Sequence, residues 1–308
     1  MDLQTAVTTW SFEPLVLLGI IAGALLYVRG LDYSARRGIG PRIAWWQVVA
    51  YFAGLFAILI GLESVVDVDA GKLLWVHMVQ HDLLTLIGPP LLLLGAPLWP
   101  VWRGVPRQLR RWLLGGMIRT RWLWRAVGSV QRAFGDPRVA LGLFLGMFAV
   151  WHLPQLYDAA LTHPVVHIVE HLCFLATALL FFARIIPPDG ALKLKHGQLG
   201  YAKRAVYLCI AAVALNVLGE TFIFSTAPFY PYYVGLPRTP DMPTALVDQH
   251  LAGAAMSVPG ALVFFAAVMW ALTRWVREDE LAGAAEEREE QRRQRRREAS
   301  GLAGRPLP

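Results

Sequence analysis

A series of long apolar runs separated by polar loops is the strongest constraint on the fold of this chain. An α-helix needs about 20 predominantly apolar residues to cross the hydrocarbon core of a membrane. Seven runs approach that length, at about 14–29, 44–62, 73–96, 139–157, 165–186, 203–225 and 250–274. Only 17% of the residues are charged, against about 25% in soluble domains. The sequence therefore predicts an all-α, polytopic membrane bundle of seven transmembrane helices.

Basic residues are distributed unevenly among the loops. All Lys and Arg residues except Lys72 and Arg238 lie in or next to the segments that follow the first, third, fifth and seventh runs. Loops rich in Lys and Arg stay on the cytoplasmic side of a membrane. The sequence therefore predicts that the N-terminus is outside and that the C-terminus is cytoplasmic.

The predicted domains are a seven-span transmembrane domain, residues 1–275, and a charged cytoplasmic tail, residues 276–308. The cytoplasmic loop 100–138 is rich in Arg and also contains Trp102, Trp112, Trp122 and Trp124. Because this loop adjoins a membrane, we interpret it as an interfacial amphipathic helix on anionic lipid, and we predict no nucleic-acid partner. In the tail, i,i+4 pairs such as Glu289–Arg293 favour a solvated helix, with a docking segment as the alternative.

Histidines are concentrated at one end of the predicted bundle. With the orientation above, all of them except His196 lie at the outer ends of spans: His77, His81, His152, His163, His167, His171 and His250. Ionisable groups at membrane depth are expensive, so they are functional candidates by default. Residues three or four apart share one face of a helix, which pairs His77 with His81. The same rule groups four residues of the fifth span: His163, His167, Glu170 and His171.

Two helices that each present a histidine pair can form a metal site of four imidazoles. His152 or Glu170 can then orient a ligand or act as a further one. Imidazole suits copper, zinc, iron and nickel, so ligand type alone leaves the metal open. Met78 lies at a similar depth and would favour copper if it joined, but Met is also a common core filler. The alternative to a metal site is that the histidines only form hydrogen bonds between helices.

Two further acidic residues accompany the histidines. Asp82 lies off the face of His77 and His81, which predicts a group that supports a ligand or faces solvent. Glu220 lies four residues after Asn216 in the sixth span, and it is predicted to be a proton-relay group or a partner for an outer histidine.

The third span contains Pro89 and Pro90. Proline removes a backbone donor and clashes with the preceding turn of a helix. A kink is therefore predicted near Ile87, and it serves either packing or function.

Over about residues 73–275 the chain resembles the CtaG family of seven-span cytochrome c oxidase assembly factors, and three stretches carry the resemblance. They are HMVQHDLLTLIGPPLLLLGAP, WHLPQLYDAALTHPVVHIVEHLCFLATALLFF and DQHLAGAAMSVPGALVFFAAVMWAL. The residues that match the family strings are His77, His81, His152, His167, Glu170 and His171. His163 matches less well, and His250 stands where the family often has another polar residue.

This resemblance implies a multi-pass plasma-membrane protein that helps to mature a haem–copper oxidase by handling copper on the outer side. The implied partners are cytochrome c oxidase subunits and other copper chaperones. The sequence contains no nucleophile–base pair or phosphate-binding loop, so we predict a metallochaperone or scaffold rather than an enzyme. Two alternatives remain open: a haem-binding membrane redox protein, and a transporter coupled to metal or protons.

Overall fold

A computed structural model describes residues 10–119, 128, 129, 132, 134–186 and 199–303, which form helices and turns without any strand. The helices are α1 Pro14–Arg37, α2 Trp45–Glu63, α3 Val65–Ala70, α4 Leu74–Asp82, α5 Gly88–Leu94, α6 Leu98–Gly104, α7 Arg107–Arg119, α8 Pro137–Trp151, α9 Pro154–Thr162, α10 Pro164–Phe182, α11 Tyr201–Ile223, α12 Pro231–Gly235 and α13 Ala245–Ala303. Trp122, Trp124 and His196 of the sequence analysis lie outside the described residues.

Helices long enough to cross a membrane dominate the structure. Among the described residues, five are also apolar enough to do so: α1, α2, α10, α11 and α13. The number rises to seven if two bent arrangements are each counted as one span. The first runs from α4 through α5 to α6, and the second joins α8 to α9. These helices confirm an all-α, multi-pass membrane protein. The count of seven and the outside N-terminus remain predictions.

The third predicted span is interrupted in two places. A π-helical turn, Leu83–Ile87, separates α4 from α5, and the backbone N–H of Gly88 donates to the carbonyl of Leu83. This turn directly precedes Pro89 and Pro90, which cannot donate the backbone hydrogen bonds of a regular α-helix. The kink predicted near Ile87 therefore corresponds to a π-helical turn, whereas the bend of 75° lies farther along, between α5 and α6.

The fourth predicted span, 139–157, is not one straight helix. Helix α8 ends at Trp151, and α9 starts at Pro154 after a bend of 74°. Leu153 has an extended backbone, with φ −66 and ψ 131, because the ring of a following proline disfavours the helical conformation. The break places His152 at the end of α8, inside the bundle.

The last span and the predicted tail form one continuous helix. Helix α13 has 59 residues, about 88 Å at 1.5 Å per residue, and a hydrocarbon core is only about 30 Å thick. The predicted domain boundary at 275 is therefore not marked by a break in the backbone. Ala, Glu and Arg, which dominate the tail, are strong helix formers. The predicted ion pair between Arg293 and Glu289 is present, with an N–O distance of 2.7 Å.

Close packing of the first and third spans depends on glycine. A Cβ atom at Gly30 of α1 would overlap the backbone carbonyl of Pro100 in α6, and one at Gly104 would overlap that of Leu26. Large apolar side chains on the opposite side of α1, such as Ile21 and Leu25, are more than half exposed. This distribution is the one expected for a helix that packs on one side and faces lipid on the other.

Candidate metal centre

Helices α4 and α10 bring four ionisable side chains together inside the bundle. They are His77 and His81 of α4 and Glu170 and His171 of α10, and one ligand atom of each lies within 4.8 Å of the others. All four are buried, and His171 is the most exposed, at 9%. The rings of His77 and His81 are 4.4 Å apart between centroids. The i,i+4 spacing on α4 therefore directs both imidazoles toward α10. We call these residues the four-residue group.

Buried polar atoms without a hydrogen-bond partner are concentrated in this group. Among the described residues they include His77 Nε2, His81 Nδ1 and Nε2, Glu170 Oε1 and Oε2, and His171 Nε2. A buried polar atom left unpaired costs about 1–3 kcal/mol, and a charged one costs more. A cation held between the side chains would satisfy one donor atom of each of the four residues. Three imidazoles and a carboxylate form a donor set that fits a first-row transition metal such as copper or zinc.

The hydrogen bonds of Tyr233 assign the tautomer of His77. The Tyr233 hydroxyl donates to the carbonyl of Ala70, at 2.7 Å, and lies 3.2 Å from His77 Nδ1. Burial raises the pKa of the Tyr233 hydroxyl, so it remains protonated. Since its one proton is already donated, Nδ1 of His77 must carry the proton of the second bond. The lone pair of His77 is therefore on Nε2, the atom that faces the group.

His152 is held in the same tautomer but lies beside the group. Its Nδ1 is 2.7 Å from the carbonyl oxygen of Phe148, which can only accept, so Nδ1 is protonated and Nε2 holds the lone pair. Its ring centroid is 6.0 Å from that of His81. Nε2 is buried without a partner among the described residues. His152 is thus positioned next to the four-residue group rather than within it.

His167 flanks the group on its other side. Its ring centroid is 4.1 Å from that of His171 and 5.4 Å from that of His77. Unlike the four buried residues, His167 is partly exposed. His167 therefore connects the group with the surface of the bundle.

Glu170 has a more central position than a supporting group would have. Its Oε1 lies 3.6 Å from Nε2 of His81, and its side chain is fully buried. The sequence predicts Glu170 as an orienting group or a further ligand, and His152 and His167 as ligands. The tightest arrangement in the structure instead contains three imidazoles and the Glu170 carboxylate.

Comparisons with known proteins assign the chain to a family. Residues 25–278 match the family described as cytochrome c oxidase caa3 assembly factor, CtaG. The chain belongs to the CtaG family. It is also 26% identical over 291 residues to uncharacterized proteins of Mycobacterium bovis and Mycobacterium tuberculosis, and 23% identical over 292 residues to one of Mycobacterium leprae.

These alignments cover 91% of the chain but only 41% of each mycobacterial protein. The chain therefore spans less than half the length of these relatives. No solved structure matches this CtaG-family chain.

The other residues singled out in the sequence lie outside the four-residue group. His163 is exposed at the start of α10, and His250 Nε2 is 3.0 Å from the carbonyl oxygen of Ser225. Glu220 is exposed in the last turn of α11. Asp82 is buried, with Oδ2 lacking a partner among the described residues. Met78 is fully buried and packs in the hydrophobic core.

Three residues that support the group were not predicted. The ring of Tyr157 lies 5.1 Å from that of His77, and Tyr233 bonds the same histidine as described above. Asp248 of α13 accepts hydrogen bonds from the backbone N–H groups of Leu74 and Trp75, at 3.1 and 3.2 Å. Tyr157 and Asp248 fall within two of the family strings, so those strings were usable signals. Tyr233 lies outside them and is too far along the chain from α4 for any local pattern to reveal it.

Proposed function

We propose that the chain binds a copper ion through His77, His81, Glu170 and His171 and helps to mature a haem–copper oxidase. The convergence of these four buried side chains, with unpaired donor atoms within 4.8 Å of one another, carries the proposal. Membership of a family of cytochrome c oxidase assembly factors supports the proposal, since such an oxidase must acquire copper as well as haem.

The geometry of the group supports a metal site over a set of histidines that merely bond neighbouring helices. The approach of His81 Nε2 to Glu170 Oε1, at 3.6 Å, is longer than a hydrogen bond. The remaining unpaired atoms of the group have no partner across the α4–α10 contact. A structural role would leave these buried groups unsatisfied, whereas copper coordination would satisfy one donor atom of each residue.

Haem fits the same residues less well than a single ion does. A haem iron takes two axial ligands on opposite sides of a macrocycle, whereas here four ligand groups converge on one point. The surrounding space is also filled by aromatic rings. The centroid of Phe174 lies 4.6 Å from that of His81, and that of Tyr157 lies 5.1 Å from that of His77.

A transporter would need polar groups that continue from the site toward the opposite end of the bundle. In the π-helical turn that follows His81, Leu84 and Leu86 are buried and apolar. The hydroxyl of Thr85 donates back to the carbonyl of His81. The surroundings of the group therefore favour an assembly factor that receives and releases copper from one side.

In this proposal the protein lies in the plasma membrane, and the end that carries the histidines faces outward. Its partners are cytochrome c oxidase subunits and copper-donating chaperones, and anionic lipid contacts the basic loops on the cytoplasmic face. The protein acts as a metallochaperone or scaffold and not as an enzyme.

Elemental analysis of the full chain purified in detergent tests the copper site. Because four ligand groups meet at one point, wild type should hold about one copper ion per chain. The His77→Ala/His81→Ala variant should lose it. A matched control, His163→Ala/His250→Ala, removes two histidines that lie outside the four-residue group and should retain copper.

Three results would contradict the proposal. Wild type that stays copper-free after loading would favour histidines with a purely structural role. An optical Soret band that depends on His77 and His81 would favour haem. Copper flux into sealed vesicles that requires the same residues would favour a transporter.

A further inference from the structure

A groove on the surface of the bundle leads toward the four-residue group. One wall is formed by the end of α3 and the turn after it, and the other by the α9–α10 junction. Its lining includes Asp67, Ala70, Thr162 and His167, and its volume is about 280 Å³. Since a water molecule takes up about 30 Å³ of liquid volume, the groove has room for a small hydrated ion. We call it the Asp67–His167 groove.

His167 is the residue common to the groove and the metal centre. It lines the groove, and its ring is 4.1 Å from that of His171 and 5.4 Å from that of His77. Its Nε2 is buried without a hydrogen-bond partner among the described residues. At the other end, Thr162 is exposed. The groove thus runs from an exposed rim to an imidazole that touches the group.

Both sides of the α3 wall are attached to helix α4. Nε2 of Gln80 donates to Oδ1 of Asp67, at 2.8 Å. The carbonyl of Ala70 accepts from Tyr233, whose oxygen in turn accepts from Nδ1 of His77. These hydrogen bonds therefore fix the groove wall relative to the helix that carries His77 and His81.

We propose that copper reaches and leaves the four-residue group through the Asp67–His167 groove, with His167 exchanging the ion between the group and a copper-donating or copper-accepting protein. This inference rests on the proposed function. The exchange is a ligand substitution, in which the lone pair on His167 replaces one donor atom of the partner protein. A lone pair of His77 or His171 then replaces a second donor atom. No electron is transferred and no covalent bond of the protein breaks.

Copper exchange by the full chain in detergent tests the route, with a coloured Cu(I)–chelator complex as donor and excess chelator as acceptor. Thr162→Trp should fill the groove. It should slow uptake and release by at least about tenfold, as a rise of about 1.4 kcal/mol in both barriers would. The copper bound at equilibrium should not change, because a blocked route alters both rates alike.

Thr221→Trp is the matched control. Thr221 is an exposed threonine near the end of α11, and like Thr162 its hydroxyl donates to the carbonyl four residues earlier. It is not among the residues that line the groove, so Thr221→Trp should exchange copper at the wild-type rate. His167→Ala should slow exchange, whereas His163→Ala, one turn away on the exposed surface, should not.

The possible failures are distinguishable. Copper-free wild type overturns the proposed function and this inference together. Normal copper content with wild-type exchange rates in both Thr162→Trp and His167→Ala overturns the route alone.

Discussion

Tyr233 accepts a hydrogen bond from Nδ1 of His77, although 156 residues separate them in the chain. The bond fixes the tautomer of His77, because the proton of the Tyr233 hydroxyl is already donated to Ala70. It also orients the imidazole so that Nε2 faces the four-residue group. A partner that holds the second nitrogen of a metal-binding histidine is a recurrent feature of metal sites.

Tyr233→Phe keeps the aromatic ring and removes this hydrogen bond. We expect copper affinity to fall by about 10–100-fold, the range typical for loss of such a partner, as measured by competition with a chelator of known affinity. Tyr232→Phe is the control, because the hydroxyl of Tyr232 donates to the neighbouring carbonyl of Gly71 and not to a histidine. Equal effects of the two substitutions would argue against a role for Tyr233 in orienting His77.

Asp248 fixes the start of the helix that carries His77 and His81. Asp248→Ala leaves the N–H groups of Leu74 and Trp75 without their acceptor, and we expect a loss of about 0.5–2 kcal/mol in the free energy of unfolding. Copper affinity should fall as well, because the start of α4 is no longer held. Thermal unfolding and chelator competition measure the two effects.

Asp136→Ala is the control for Asp248→Ala. The side chain of Asp136 caps α8 by accepting from the backbone N–H of Arg138, at 2.8 Å. This variant should lose some stability but keep wild-type copper affinity. A similar loss of affinity in both variants would mean that general destabilisation, and not the position of α4, weakens the site.

Glu170→Gln should have opposite effects with and without copper. In the copper-free protein it removes a buried carboxylate without a hydrogen-bond partner, and burying an unpaired charge is costly. The unfolding temperature of the copper-free protein should therefore stay equal or rise. Copper should raise the unfolding temperature of the variant by less than it raises that of wild type, because an anionic ligand is lost. Glu220→Gln, which changes an exposed residue, should alter neither temperature, and a fall in the copper-free protein would contradict the assigned role of Glu170.

Local patterns predicted the residues of the metal centre better than their arrangement. The i,i+4 rule was sufficient for His77 and His81 because both lie on a single regular helix. It could not rank Glu170 above His167, since that order depends on how α10 faces α4. Pro154 was visible in the sequence, but the 74° bend at that point was missed because the apolar run continues across it. Tyr233 and Asp248 depend on contacts between distant segments, which periodicity within one helix does not encode.

The orientation of the bundle decides whether the histidines face outward, and the distribution of Lys and Arg predicts that they do. In a background without Cys173 and Cys209, Thr239→Cys in the loop before α13 should react with a membrane-impermeant thiol reagent in intact cells. Ala285→Cys in the exposed tail should react only after the membrane is permeabilised. Both positions are exposed in the structure, so a difference in labelling reports sidedness and not burial. The reverse pattern would place the metal centre at the cytoplasmic end and would contradict copper exchange with a partner outside the cell.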